Sequence, residues 1–164
     1  MVQFRNRIRL LPESRRWTQR ILFSLLLGSL LGALWARMQP GLTALDPEAL
    51  GRVSPVRGFL RNALFPCLLA AALILRGRFL FCLLFFLKGV GVSFLLCASA
   101  AAGDDWLSAV LPTLILDTLL PLPLLLRMGA VWGEQAETGE ASLWLLFPAL
   151  LVGFLSALLR AALF

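Results

Sequence analysis

The stretch that decides the fold is Phe79–Gly103, FLFCLLFFLKGVGVSFLLCASAAAG, in which Lys88 is the one charged residue. A run of this length and composition exceeds the roughly 20 apolar residues that a helix needs to cross a bilayer. A charge at mid-membrane costs about 2.5–3.5 kcal/mol on insertion scales. Lys88 therefore needs a partner, an aqueous cavity or a task.

The rest of the chain follows from that run. Hydrophobic residues make up 60% of the 164 residues and charged residues 15%, against about 25% charged in ordinary soluble domains. Mean hydropathy is +0.88. The fold class is all-α, a polytopic integral membrane protein of about five transmembrane helices. The spans are expected at 20–37, 59–75, 79–101, 106–130 and 143–164. Residues 1–19 form a basic cytoplasmic segment, and 20–164 form one five-helix domain with an extracytoplasmic loop at 38–58. The start also has the basic and apolar regions of a signal peptide. Cleavage after Ala36, however, would put the bulky Leu34 where a small residue is expected, so a retained first helix is the reading.

Orientation follows from the positive-inside rule. Arg5, Arg7, Arg9, Arg15, Arg16 and Arg20 precede the first span and place the N-terminus in the cytoplasm, inside a bacterial plasma membrane. Arg76 and Arg78 then mark a cytoplasmic turn, the Asp104-Asp105 turn lies outside, segment 132–142 is cytoplasmic, and the C-terminus is extracytoplasmic. Arg52, Arg57 and Arg61 fit this frame poorly, because they fall on the outer side. The net charge of +6 is explained by the anchor, so nucleic acid is not an expected partner; the lipid bilayer is.

Asp117 is the second charge placed inside a span. Lys88 lies nine residues from Phe79 and Asp117 eleven from Trp106. At about 1.5 Å rise per residue and a core of about 30 Å, both sit roughly 13–14 Å from the inner side. The midpoint between them falls beside Gly103, so an antiparallel hairpin brings them level. An ion pair between Lys88 and Asp117 is the expectation, either as a registration point or as part of a relay. The spans hold no His, Tyr or Glu to extend a relay. A polar cavity reaching both residues would favour transport, and a dry pair would favour a scaffold.

Small residues recur at four-residue spacing: Ser24, Gly28 and Gly32 in span one, Gly89 and Ser93 in span three, Gly153 in span five. Such stripes let helix backbones approach closely. They serve packing within the subunit or self-association. Pro112, Pro121 and Pro123 interrupt span four, which is expected to kink or break there.

Catalytic, metal and cofactor sites lack their parts. There is no His, the three cysteines sit singly in apolar runs, and no nucleophile–base pair or phosphate loop is present. The protein is expected not to be an enzyme and to carry no cofactor.

Four segments carry a resemblance. They are the amide-bearing Phe59-Leu60-Arg61-Asn62, the aromatic run Leu83–Leu87 ending in Lys88-Gly89, Phe94, and Leu111-Pro112 after an acidic turn. In this order, behind a basic start, one span and a moderate loop, they resemble stage II sporulation protein M and the small membrane proteins related to it. The resemblance implies a non-enzymatic scaffold of the endospore engulfment machinery. Its implied partners are the peptidoglycan hydrolases stage II sporulation proteins P and D, recruited through loop 38–58. The alternative is a small transporter or transporter subunit using Lys88 and Asp117.

Overall fold

A computed structural model describes residues 11–38, 55–102, 111, 114–139 and 142–163. Helices run over α1 Leu11–Met38, α2 Pro55–Ile74, α3 Arg78–Ala102, α4 Leu122–Thr138 and α5 Leu146–Leu163, with a π turn at Ile115–Leu119 just before α4. Among the described residues there is no strand. Among the described residues, three stretches are long and apolar enough to cross a membrane: Arg15–Met38, Arg78–Ala101 and Ile115–Thr138. Gly58–Ile74 and Leu146–Ala162 are shorter apolar helices beside them.

The outer surface has the character of the interior. Phe23, Leu26, Leu30, Phe79 and Phe147 expose between 63% and 75% of their surface. Water would not tolerate that many large apolar side chains on the outer faces of α1, α2, α3 and α5, whereas lipid tails accept them.

Two helices extend beyond the spans expected for them. The first helix starts at Leu11, so the 19/20 boundary falls inside it; Pro12 near the start suits a first helical turn. The fourth helix runs on to Thr138, so 132–138 is helix and not loop. Trp132, Glu134 and Ala136 are buried there because the face Gly129–Gly133 packs on α1 and α3. Gly139 then ends the helix at φ 80 and donates its N–H to the Gln135 carbonyl at 2.9 Å. That left-handed position favours glycine.

Glycines set the helix order. A Cβ on Gly28 would strike the Phe86 carbonyl, one on Gly32 the Val90 carbonyl and Ser93 Oγ, and one on Gly89 the Leu25 carbonyl. Trp17 meets Phe81 and Trp35 meets Phe94. Rising numbers pair with rising numbers, so α1 and α3 run parallel, backbone on backbone. Ser29 and Ser93 keep their hydroxyls inside the seam by donating to the Leu25 and Gly89 carbonyls, each at 2.9 Å. The pairs of α4 with α1 and of α5 with α2 are antiparallel. On α4, Gly129 lies against Ile21 and Phe85, and Gly133 against Trp17. On α5, Gly153 lies against Asn62, and Ala157 against Gly58.

The N-terminal part of α1, the α2–α3 turn and the C-terminal end of α4 share one end of the bundle. Arg20 pairs with Glu137 at 3.6 Å and lies 5.2 Å over the Trp17 ring. Arg76, at φ 50, donates to the Gly139 carbonyl at 3.4 Å. Arg15, Arg16 and Arg78 are exposed at this basic end, whereas Arg5, Arg7 and Arg9 lie outside the described residues. Trp17, Ile21, Phe81, Phe85, Met128 and Trp132 form the adjoining core.

Candidate functional site

Asp117 is the organising residue of the other half. Pro121 and Pro123 lack the N–H groups that the carbonyls of Asp117 and Leu119 would bind in an α-helix. The chain widens instead into the π turn, closed by the Leu120 N–H on the Ile115 carbonyl at 3.0 Å. The extra residue turns both Asp117 and Thr118 inward, and both are buried. Such π bulges are frequent at functional sites.

Four groups from two other helices converge on the carboxylate. Oδ1 accepts from Asn62 Nδ2 at 3.0 Å and lies 3.5 Å from Ser156 Oγ. Oδ2 accepts from Arg160 Nη1 at 3.2 Å and, at short range, from Arg61 Nη2. Asn62 Nδ2 also donates to Ser156 Oγ at 2.8 Å, which ties α2 to α5 directly. Gly153 supplies the space: a Cβ there would sit 3.3 Å from Asn62 Cβ. With both oxygens engaged by cations and neutral donors, the Asp117 carboxylate is poorly placed to act as a general base.

The structure thus assigns Asp117 to Arg61 and Arg160, and not to the expected Lys88. The ammonium of Lys88 lies 5.0 Å over the Phe65 ring, which meets Phe85 edge-on at 5.3 Å. Among the described residues no carboxylate comes within ion-pair reach of Lys88. The physical reason is competition: Arg61 enters from α2 on the same side and reaches the Asp117 carboxylate first. A cation over an aromatic face gains about 0.5–2 kcal/mol, less than the insertion cost of about 2.5–3.5 kcal/mol for a charge at mid-membrane. Phe65 alone does not offset the charge.

Lys88 and Asp117 do share a cavity of about 330 Å³, lined also by Arg61, Asn62, Gly91 and Thr118. Its rim on α3 is Leu87 and Gly91, one turn apart and both exposed. Among the described residues, a Cβ on Gly91 would meet nothing within 4 Å. Two cations and one carboxylate face this space, and the carboxylate is shared with a further arginine. Among the described residues no group of His, Cys, Asp and Glu could hold a metal.

Lys88 and Asp117 are thus brought to one pocket without pairing. Gly28, Gly32, Gly89 and Ser93 lie in the α1–α3 seam, Gly153 lies at the Asp117 site, and Ser24 is half-buried on α1. Ser156 and Arg160 are site residues that the sequence reading does not single out, whereas Arg61 and Asn62 enter it only through the resemblance and, for Arg61, as a charge on the outer side. Arg160 carries a readable signal, since it stands alone in the apolar run LLRAALF. Arg61 is masked by its neighbours Arg52 and Arg57, which make it look like loop charge.

Comparison with known proteins finds no match to a family model, to a curated protein or to a solved structure.

Proposed function

We propose that this chain is a five-span membrane protein, N-terminus cytoplasmic, that acts without catalysis as a small transporter or transporter subunit. The observation that supports the reading is the cavity of about 330 Å³, largely apolar in its lining, that touches both Lys88 and Asp117. A protein needing those charges only to register a hairpin has no use for space beside them. The π turn ahead of its two prolines widens the fourth span at the same point, and such turns are frequent at functional sites. Arg61, awkward as an outer-loop charge, is accounted for as the partner of Asp117.

Transport requires access from both membrane faces. The test is Val92→Cys, on the cavity wall, in a background of Cys67→Ala, Cys82→Ala and Cys97→Ala. A membrane-impermeant thiol reagent applied separately to inside-out and right-side-out vesicles should react from each face. Reaction from one face only, or from neither, defeats the transport reading.

A scaffold role in engulfment is the competing proposal. In its favour, the segments carrying the sporulation resemblance converge: Arg61, Asn62 and Lys88 line the cavity and Gly89 the adjoining seam. Its docking loop falls mainly on residues 39–54, outside the described structure. Co-purification of wall hydrolases with the tagged protein, lost on scrambling 38–58, is its test.

A further inference from the structure

We propose that the occupant of the cavity is an anion, an oxyanion group of the phosphate or carboxylate class, held by Lys88 with the outward face of Arg61. The inference rests on the pocket reading above and adds the substrate class. Arg61 and Lys88 line the cavity against one carboxylate, Asp117. That carboxylate is already engaged on both oxygens, by Asn62 and Ser156 on one and by Arg61 and Arg160 on the other. The lining therefore carries one positive charge more than it neutralises. The surplus sits on Lys88, whose ammonium lies over the Phe65 ring and, among the described residues, has no carboxylate within ion-pair reach.

Geometry gives each group a role. The Arg61 side chain is 44% exposed although it holds Asp117, so part of its guanidinium remains free to donate. Asn62 and Thr118 add neutral polar groups to the lining, and Leu87, Val92, Leu95 and Leu114 make the rest apolar. A few convergent polar groups in an otherwise apolar hollow are the usual make-up of a small-ligand site. At the Gly91 rim, without a side chain, no described residue stands in the way. A cation-bearing cleft with low-dielectric walls concentrates anions and excludes cations. Both a free solute and a lipid headgroup can supply the oxyanion.

The test is Gly91→Cys in the cysteine-free background described above, in phosphatidylcholine nanodiscs. Reactions with an anionic and with a cationic methanethiosulfonate reagent are each normalised to their rates with a free thiol. The anionic reagent should react faster by on the order of tenfold. Lys88→Met in the same protein should bring the ratio close to one. Inorganic phosphate should slow the anionic reagent if the occupant is a solute. Replacing the lipid with phosphatidylglycerol, without phosphate, should slow it if the occupant is a headgroup; either result supports the proposal. Equal normalised rates, unmoved by Lys88→Met, overturn the anion inference and leave an accessible pocket. Absence of reaction with both reagents removes the pocket reading as well. Leu87→Cys, on the same rim, is the second reporter should Gly91→Cys give no folded protein.

Discussion

At the basic end of the bundle, Trp17, Ile21, Phe81, Phe85, Met128 and Trp132 interlock, with Gly129 and Gly133 letting α4 close on them. In the other half, Asp117, Arg61, Arg160, Asn62 and Ser156 meet in one polar knot with a cavity beside it. Lipid tails are as apolar as leucine, so helices in a membrane gain little from hiding leucine from lipid. The first region therefore holds by close packing and the second by charge. Close packing leaves no room for a ligand, whereas a charged knot keeps groups that a ligand can engage. The halves differ in what they can tolerate, and substitutions separate them.

The largest effect is expected at Asp117. Asp117→Leu leaves Arg61 and the buried Arg160 without their shared carboxylate. Removing one partner of a buried pair typically costs about 3–5 kcal/mol. Loss of the monodisperse peak on size exclusion in mild detergent is the expected readout. Adding Arg61→Met and Arg160→Met should restore much of the folded fraction, because an apolar replacement of the whole cluster removes the desolvation cost. Failure of the triple variant to recover would mean that the knot does more than neutralise charge.

The packed half should lose less to a single change. Phe85→Ala removes a fully buried ring that touches both Phe65 and Gly129. The cavity left behind should cost roughly 3 kcal/mol, read as a lower melting temperature with anion selectivity at Gly91→Cys kept. Loss of selectivity together with stability would show that the halves are coupled through Phe65, which also carries Lys88. The α1–α3 seam comes next. Gly28→Ala puts a methyl into the Phe86 carbonyl, and overpacking of this kind costs about 1–3 kcal/mol. Gly91→Ala, two residues beyond the seam glycine Gly89, meets nothing within 4 Å and should be silent.

These same residues show what sequence can and cannot reveal. Helical class and the approximate places of the helices are legible because each needs only a run of apolar residues. The small-residue stripes are also legible, since a glycine at four-residue spacing has few other uses in a span, but that α1 joins α3 through them is not. The Lys88–Asp117 pairing is not. Equal depth is a one-dimensional measure, and it says nothing of which residues face each other around the helix axes. The π turn compounds this by rotating Asp117 toward α2 and α5, a shift that no regular periodicity carries. The end of α4 is hidden in the sequence because Glu134 and Glu137 mimic a solvated loop. One of them is buried and the other reaches Arg20.

The smallest effect belongs to that last pair. Arg20 and Glu137 are 57% and 39% exposed, 3.6 Å apart, at the polar margin of the bundle. Exposed ion pairs contribute about 0–1 kcal/mol. Arg20→Gln should therefore shift the melting temperature little, although it also takes the cation away from the Trp17 ring. The arginine should matter instead during insertion, where Lys and Arg near a span end set orientation. With Arg15 and Arg16 also replaced by Gln, a periplasmic reporter fused before residue 11 should begin to give signal. A large stability loss from Arg20→Gln alone would contradict this division of the molecule. It would place a structural charge in the half assigned to packing.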